Sequence, residues 1–278
     1  MGRHLLLFIS LLYTTGCASK SILLNHPNLV SIYFENKIQK LEKKASPTKI
    51  EKRKILKLKN EYAFGILMEK NDRLIGQDYS KGLEGYHKAN IIFNEAKIIG
   101  SEILITSFPN FELWLKGNSK ITFSHSDIFD LYWLAAAYGG AIKSSRGNPF
   151  ELVHLPSVGK MLKTAISLDP DWGNGVLHTA MMSYTSSRPD LSGKSLIDSV
   201  SYYFDKAVLI SDSLYADPFM IYAESIDKPF QNKGAYEEKL NFILNMDTDR
   251  SAEFELGNII TKKRAKWLLT KTNEMFLE

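Results

Sequence analysis

One segment, residues 129–175, constrains the fold of this chain more than any other part of the sequence. Its first part is apolar on almost every side, and alanine or glycine fills all but one position from Ala135 to Ala141. Small side chains let a neighbouring backbone approach closely, and a helix that is apolar all round belongs in a core. We therefore predict a buried helix over residues 129–142.

A second helix is predicted over residues 157–168, because the apolar residues there recur at spacings of three and four. These residues are Val158, Met161, Leu162, Ala165, Ile166 and Leu168. Asp169 and Pro170 end the helix, since the residue before a proline is pushed out of the helical region. The glycines of the following turn, DPDWGNG, allow a third helix to start near Val176. The unit is thus helix, turn, helix, turn.

Four segments share a pattern of small, large, alanine and aliphatic residues on one helix face. They are Ala89, Phe93, Ala96 and Ile99; Val158, Leu162, Ala165 and Leu168; Val200, Phe204, Ala207 and Ile210; and, more loosely, Tyr236, Leu240, Ile243 and Met246. Their separations are near one or two lengths of the ~34-residue tetratricopeptide repeat plus loop insertions. We predict an all-α fold of tetratricopeptide-like helical hairpin repeats, stacked into a curved array or superhelix with a concave or tubular inner surface. Ordinary packing in a helix bundle would give such stripes too, and that alternative stays open.

The first seventeen residues have the layout of a secretory signal. Arg3 gives a positive start, an apolar run follows from Leu5 to Leu12, and small residues precede Cys17. The run is too short for a bilayer core of about 30 Å. The pattern resembles the lipobox of bacterial lipoproteins, with Thr14 at a position that is usually aliphatic. We predict a signal peptide over residues 1–16 and a lipid on Cys17, the only cysteine of the sequence; an ordinary signal with an incidental cysteine is the alternative.

Residues 17–46 are predicted to form a lipid tether and an N-terminal amphipathic helix. Its residues near helical spacing are Leu29, Ile32, Tyr33, Lys37 and Leu41. Residues 47–278 are predicted to form the tetratricopeptide-like domain, with helices over residues 49–70 and 83–105 and a loop, or a strand turn, over residues 118–126. The basic first half of the helix over residues 49–70 either binds anionic lipid near the tether or is an ordinary solvated face.

The composition is that of a chain able to bury one sizeable core, since 44% of its 278 residues are hydrophobic and 24% are charged. Its formal net charge is +4, and loss of Arg3 with the signal lowers this value by one. A charge so near balance argues against a dedicated nucleic-acid binder, so we predict no nucleic-acid partner.

Catalytic and metal-binding motifs are weak in this sequence. The six histidines do not form a ligand pair at helical spacing, and no phosphate-binding loop, dinucleotide fingerprint or nucleophile elbow occurs. We predict no enzyme activity, no metal and no cofactor other than the lipid. Asp169 and Asp171 hint at a calcium loop, but Asn174 stands where glycine is needed, so a turn fits better. For the last helix we predict a cap at Asp249 or Ser251.

The second half of the chain carries a series of segments that occur together in one known family. In order, they are LYWLAAAYGG, LPSVGKMLKTAISLDPDWGNG, SYYFDKAVLISDS, MIYAES and RAKWLL. The series, over roughly residues 129–269, resembles the T component of tripartite ATP-independent periplasmic (TRAP) transporters, the TatT-type lipoproteins. The loop from Arg188 to Ser195 departs from the family's usual pattern of two glycines. The resemblance implies an all-helical, tetratricopeptide-like, lipid-anchored periplasmic protein that forms a homotrimer and binds the solute-binding P component.

We therefore predict a non-enzymatic, periplasm-facing lipoprotein of a TRAP uptake system, which binds the P component and an apolar ligand. The candidate residues that line a ligand channel are Trp133, Ala137, Tyr138, Trp172, His178 and Tyr222. Aromatic residues at helical spacing are also common in ordinary cores, and His178 also fits a hydrogen-bonded core histidine.

Two other functions stay open at this point. One is a cell-envelope scaffold of tetratricopeptide type for outer-membrane or peptidoglycan machinery, and a more distant one is an uncharacterised hydrolase. Ala18 follows Cys17 in place of the aspartate of an inner-membrane retention signal, so outer-membrane placement is slightly preferred.

Overall fold

The computed structural model describes residues 27–277, and within this range the chain is all helical, with no strand and no helix long and apolar enough to cross a membrane. Its α-helices are α1 (Pro27–Glu42), α2 (Lys49–Tyr62), α3 (Glu69–Leu74), α4 (Tyr79–Ser107), α5 (Phe111–Leu115), α6 (Ile128–Ser144), α7 (Pro149–Leu152), α8 (Leu155–Leu168), α9 (Val176–Ser186), α10 (Gly193–Ile210), α11 (Asp217–Tyr222), α12 (Lys233–Asn245), α13 (Glu255–Leu269) and α14 (Thr272–Met275). Two π-helical segments, Ala63–Met68 and Ala223–Asp227, follow α2 and α11 directly. Two short 3₁₀ helices are His125–Asp127 and Thr248–Arg250. The predicted all-α class is confirmed for these residues.

Helix α6 lies at the centre of the main core, where it packs against α2, α4 and α8. Leu131 and Leu134 on this helix have no exposed surface. The space above its small residues is filled by α4, because a Cβ added at Gly140 would stand 2.2 Å from the ring of Phe93. The buried helix predicted over residues 129–142 is confirmed.

Two adjacent glycines of α6 allow a matched test of this packing. We expect Gly140→Ala to lower the free energy of unfolding by about 1 to 3 kcal/mol, the usual effect of overpacking, because the buried ring of Phe93 must move. Gly139→Ala is the control, since a Cβ there would have no neighbour within 4 Å. Alanine in a helix interior then stabilises by about 0.5 to 1 kcal/mol. Urea unfolding measures the free energy of unfolding of both variants. Equal values would contradict the prediction, because they would show that the ring of Phe93 can move aside at no cost.

The hairpin predicted from residues 129–175 forms as expected. Helices α6 and α8 pack against each other, and α8 ends at Leu168 before the Asp169-Pro170 pair. Gly175 precedes α9 with a φ of +100°, and a Cβ there would stand 2.9 Å from the carbonyl oxygen of Ala207. Both the backbone angle and the close approach require glycine at this position.

The four predicted stripes lie on the inward faces of α4, α8, α10 and α12. Most of their members are buried, whereas Ile99, Leu168, Phe204 and Ile210 are half-buried. Successive helices are in contact along the chain, notably α8 with α9, α9 with α10, and α12 with α13. The stripes are therefore packing faces.

Two predicted helices are longer than expected. The one predicted over residues 49–70 runs through α2, a π-helical segment and α3 to Leu74. The one predicted over residues 83–105 begins at Tyr79, because the side chain of Asp78 caps it by accepting from the N–H of Lys81 at 3.1 Å. The loop predicted over residues 118–126 contains no strand and ends in a 3₁₀ helix.

The basic residues of α2 are largely paired with carboxylates of other helices. Arg53 makes two hydrogen bonds to Asp130, both of 2.7 Å, and Asp130 is almost completely buried. Lys59 lies 2.6 Å from Glu95 and Lys52 lies 3.0 Å from Glu102. These contacts favour structural ion pairing over lipid binding as the reason for the basic segment.

Helix α1 lies within the segment where an N-terminal helix was predicted. Its buried face includes Phe34, whereas Leu29, Ile32 and Tyr33, which were noted near helical spacing, are exposed.

One local prediction is wrong. Neither Asp249 nor Ser251 caps the last long helix, since α13 begins after Phe254 without a side-chain cap. The polar residues before it form a separate 3₁₀ helix with its own cap, Asp247.

Arg264 of α13 joins segments from opposite ends of the chain. It donates two hydrogen bonds to Glu224, of 2.8 and 2.6 Å, and one of 2.5 Å to Glu69, which lies 195 residues away in sequence. Asp72 lies 2.8 Å from the same guanidinium. Burial alone would lower the pKa of Arg264, but the three carboxylates outweigh burial and raise it. The cluster therefore links α3 with the second π-helical segment and with α13.

Candidate functional site

The inner side of α6 carries the first part of an aromatic group deep in the protein. The ring of Tyr132 has its centroid 5.0 Å from that of Trp133 and 5.4 Å from that of Trp172. Because Trp172 lies in the turn between α8 and α9, these rings connect one helical hairpin to the next.

A second wall is formed by the loop before α11 and by α13. Tyr215 stacks on Phe254, with ring centroids 4.5 Å apart and planes inclined by 13°. The hydroxyl of Tyr215 donates to one oxygen of Asp217 at 2.8 Å, and that of Thr261 donates to the other at 2.5 Å. The side chain of Asn258 holds the loop in place, because it accepts a hydrogen bond from the N–H of Ala216 and donates one to the carbonyl of Leu214.

We call Tyr132, Trp133, Trp172, Tyr215 and Phe254 the inner aromatic group. Its two walls interact electrostatically. Burial is the main cause that raises the pKa of both tyrosines, and the carboxylate of Asp217 raises both further. One carboxylate can act on both phenols only if the walls lie near each other.

The electrostatic surroundings keep the phenols neutral. Glu61 of α2 adds to the rise in the pKa of Tyr132. Burial raises the pKa of Glu61 itself, against the effect of nearby Lys57. Tyr132 and Tyr215 therefore stay protonated at any physiological pH. The hydroxyl of Tyr215 already donates to Asp217, so of the two phenols Tyr132 is the one that can donate a hydrogen bond to a guest.

The inner aromatic group is not sealed. Trp133, Trp172 and both tyrosines are half-buried, although Tyr132 and Tyr215 lie deep in the protein. This partial exposure leaves part of each ring free to contact a guest. Apolar rings with a few orienting polar groups are the usual lining of a small-molecule site.

Two of the six predicted lining residues, Trp133 and Trp172, belong to the inner aromatic group. Ala137 does not, because it has no exposed surface and packs in a small core cluster with Leu56 and Ala96. No guest can reach Ala137 in this structure.

Tyr138 and Tyr222 lie apart from the inner aromatic group. The ring of Tyr138 has its centroid 5.2 Å from that of His154, and the ammonium of Lys97 lies 4.8 Å from it. Tyr222 shares a hydrogen bond of 2.9 Å with the hydroxyl of Ser201. Both tyrosines occupy ordinary packing environments between helices.

His178 is a buried residue of α9, with its ring centroid 6.1 Å from that of Tyr203. Burial lowers its pKa, and the backbone carbonyl of Pro170 partly opposes this effect. Neither ring nitrogen makes a hydrogen bond of ordinary geometry. His178 is thus a core residue, but it lacks the hydrogen bonds expected of it.

The acidic residues after α8 form a turn. Asp169 accepts a hydrogen bond of 3.0 Å from the N–H of Asp171, and its other oxygen lies 3.0 Å from His125. Within residues 27–277 no group of three His, Cys, Asp or Glu side chains is arranged to hold a metal ion.

Two open grooves lie on the outer surface of α8, α9 and α10. One, of about 370 Å³, is lined by residues that include Lys163, Met181, Tyr202 and Tyr203. The other, of about 420 Å³, is lined by residues that include Leu155, Pro156, Tyr184 and Pro189. Arg188 borders both grooves, and no member of the inner aromatic group borders either.

The family of the chain follows from comparison with known protein families. The model of the TRAP transporter T-component matches residues 57–276, which is most of the chain and includes the whole inner aromatic group. The chain belongs to the TRAP transporter T-component family. The resemblance predicted from residues 129–269 is thereby confirmed, and the match extends toward the N-terminus as far as residue 57 in α2.

A related protein occurs in Treponema pallidum (strain Nichols), where it is described as uncharacterized. It is 22% identical to this chain over an alignment of 204 positions, and the alignment covers 70% of this chain. The match covers 62% of the related protein, so this T component spans less than two thirds of that protein's length.

Sequence reasoning missed several residues of the inner site. Tyr132 adjoins Trp133 in a segment already singled out, so their adjacency was an available signal. Tyr215, Asp217 and Phe254 lie on other elements, and no motif or spacing in the sequence connects them. Their position near Tyr132 depends on long-range packing, since α11 contacts α9 and α9 contacts α6.

Proposed function

We propose that this T component is an accessory subunit of a TRAP-type solute uptake system, held in the cell envelope by a lipid on Cys17 and facing the periplasm. Its proposed partner is the solute-binding P component, and its proposed assembly is a homotrimer. The observation that carries the proposal is the family match over residues 57–276. Cys17 itself lies outside the described residues.

The helical pairs are proposed to follow a tetratricopeptide-like arrangement. Contacts between successive helices and the inward position of the four stripes support this arrangement. Proteins of this architecture usually bind on the inner surface of the stack. We assign that role to the space bordered by the inner aromatic group.

The proposed guest is an apolar molecule without negative charge. The rings of Trp133, Trp172 and Phe254 offer apolar contact area, and the neutral phenol of Tyr132 offers a hydrogen-bond donor. The carboxylates of Glu61 and Asp217 lie close enough to act on Tyr132, and they would repel an anionic guest.

Uptake of a hydrophobic fluorescent probe tests the proposed guest site. Trp172→Leu removes the indole that contacts Tyr132 but keeps apolar bulk, and we expect the affinity for the probe to fall about ten-fold. Tyr138→Leu is the matched control, because Tyr138 lies outside the inner aromatic group, and its affinity is expected to stay unchanged. Melting temperatures establish that both variants fold.

Equal affinities of the wild type and the Trp172 variant would contradict the proposed site. A folded wild type that binds no probe would favour the other candidate function, an envelope scaffold that works through its outer surface.

A further inference from the structure

Helix α1 carries apolar side chains on two opposite faces. Its inner face packs against α2 and the π-helical segment after it, and the ring of Phe34 stacks on that of Tyr62 with centroids 5.6 Å apart. On the outer face, Leu29, Ile32 and Tyr33 are 49%, 51% and 47% exposed. Three large apolar side chains on adjacent turns make a contiguous exposed patch, which marks an interaction surface.

The same outer face becomes basic toward the end of the helix. Lys37 and Lys40 continue it at spacings of four and three, and Lys43 follows in the turn directly after the helix; all three are exposed. Lys49, Lys52 and Lys59 of α2 pair with carboxylates of other helices. Lys40 and Lys43 form no ion pair with a carboxylate of residues 27–277. Apolar side chains beside lysines on one helix face are typical of helices that lie in the surface of a bilayer.

The length of the preceding chain places this face near a membrane. Helix α1 begins at Pro27, ten residues after Cys17. Ten residues span at most about 35 Å when fully extended. A lipid on Cys17 therefore keeps the start of α1 within about one bilayer thickness of the membrane surface.

We propose that the outer face of α1 rests on the phospholipid bilayer. Leu29, Ile32 and Tyr33 insert among the headgroups, while Lys40 and Lys43 face anionic lipid phosphates. The inference rests on the lipid anchor of the proposed function and adds an orientation to it. The anchored protein then contacts the membrane along α1 as well as through its lipid. This second contact fixes the orientation of the inner aromatic group relative to the membrane.

The full lipidated chain in vesicles tests this orientation. Acylation blocks Cys17, the only native cysteine, so a cysteine introduced by Ile32→Cys is the only thiol that an environment-sensitive fluorophore can label. Leu209→Cys gives the control label, on an apolar side chain of α10 that is 74% exposed. The vesicles contain neutral and anionic phospholipid in a ratio of about 2:1 and a quencher attached near the headgroup, because interfacial helices insert only about 5 to 10 Å.

We expect the quencher to reduce the emission from position 32 about two-fold and to leave that from position 209 unchanged, because quenching requires contact at the depth of an interfacial helix. Adding Lys40→Glu and Lys43→Glu is expected to weaken the contact by about five-fold or more, since each lysine near an anionic surface contributes about that factor. Neutral vesicles are expected to reduce quenching in the same way.

Three results would overturn the inference in distinguishable ways. Equal, weak quenching at both positions would place the face in water. Emission at position 32 that responds to protein concentration, but not to the lipid-borne quencher, would mean that a second copy of the chain covers the face. A chain that does not bind vesicles at all would contradict the lipid anchor itself, and the orientation with it.

Discussion

Arg264→Met is expected to lower the free energy of unfolding by about 3 kcal/mol, because it leaves three carboxylates clustered without their main cation. Glu69, Asp72 and Glu224 surround the guanidinium, and their side chains are 15%, 16% and 28% exposed. This partial exposure places the effect at the lower end of the range for breaking a buried ion pair. The loss also releases the contact between α13 and α3.

Thermal unfolding measures this effect, with a fall in melting temperature of about 6 to 12 °C expected for a chain of this size. Lys194→Met is the matched control, because Lys194 pairs with Asp198 on the surface and both side chains are largely exposed. Its effect is expected to stay below about 1 kcal/mol. An effect of Arg264→Met no larger than that of Lys194→Met would contradict this account of the cluster.

Cys17→Ser is expected to move the protein from the membrane fraction to the soluble fraction, or to leave it unprocessed. The buried acyl chains contribute about 0.8 kcal/mol per methylene, and without them the tether has no comparable hold on the bilayer. Cell fractionation and the mass of the N-terminal peptide measure the two consequences separately.

A second variant tests whether the position of the thiol, and not merely its presence, is required. Cys17→Ser combined with Ser19→Cys keeps one thiol but moves it away from the small-residue cleavage site, so it is also expected to lose the membrane. Equal membrane partition of the wild type and Cys17→Ser would contradict the anchor.

The local pattern of the sequence predicted much of the helical framework. The hairpin of α6 and α8 and the start of α9 follow from a small-residue run, a spacing of three and four, and an Asp-Pro exit. These signals are local, because they depend on helix propensity, on one stripe of apolar residues and on proline geometry.

Features that depend on which neighbour a helix face packs against could not be predicted from local sequence patterns. Helix α1 has apolar residues on two faces, and only contact with Tyr62 and its neighbours determines that Phe34, rather than Ile32, points inward. The π-helical segments are a similar case, since nothing in the composition of residues 63–68 marks the widened turn.

Only part of the candidate site was predicted, because the rest of it depends on long-range packing. Trp133 and Trp172 were found because each lies in a segment with a strong helical or turn signal. The residues that complete the inner aromatic group, Tyr215 and Phe254, reach it only through the long-range packing that Arg264 helps to close. Sequence spacing carries no information about such contacts.

Direct binding between the purified full chain and the solute-binding P component encoded with a TRAP permease in the same genome tests the proposed function most directly. We expect a saturable complex that survives Tyr138→Leu, a substitution outside the inner site. A folded chain that shows no complex with that P component, while it still takes up the hydrophobic probe, would contradict a role as the T component of this uptake system.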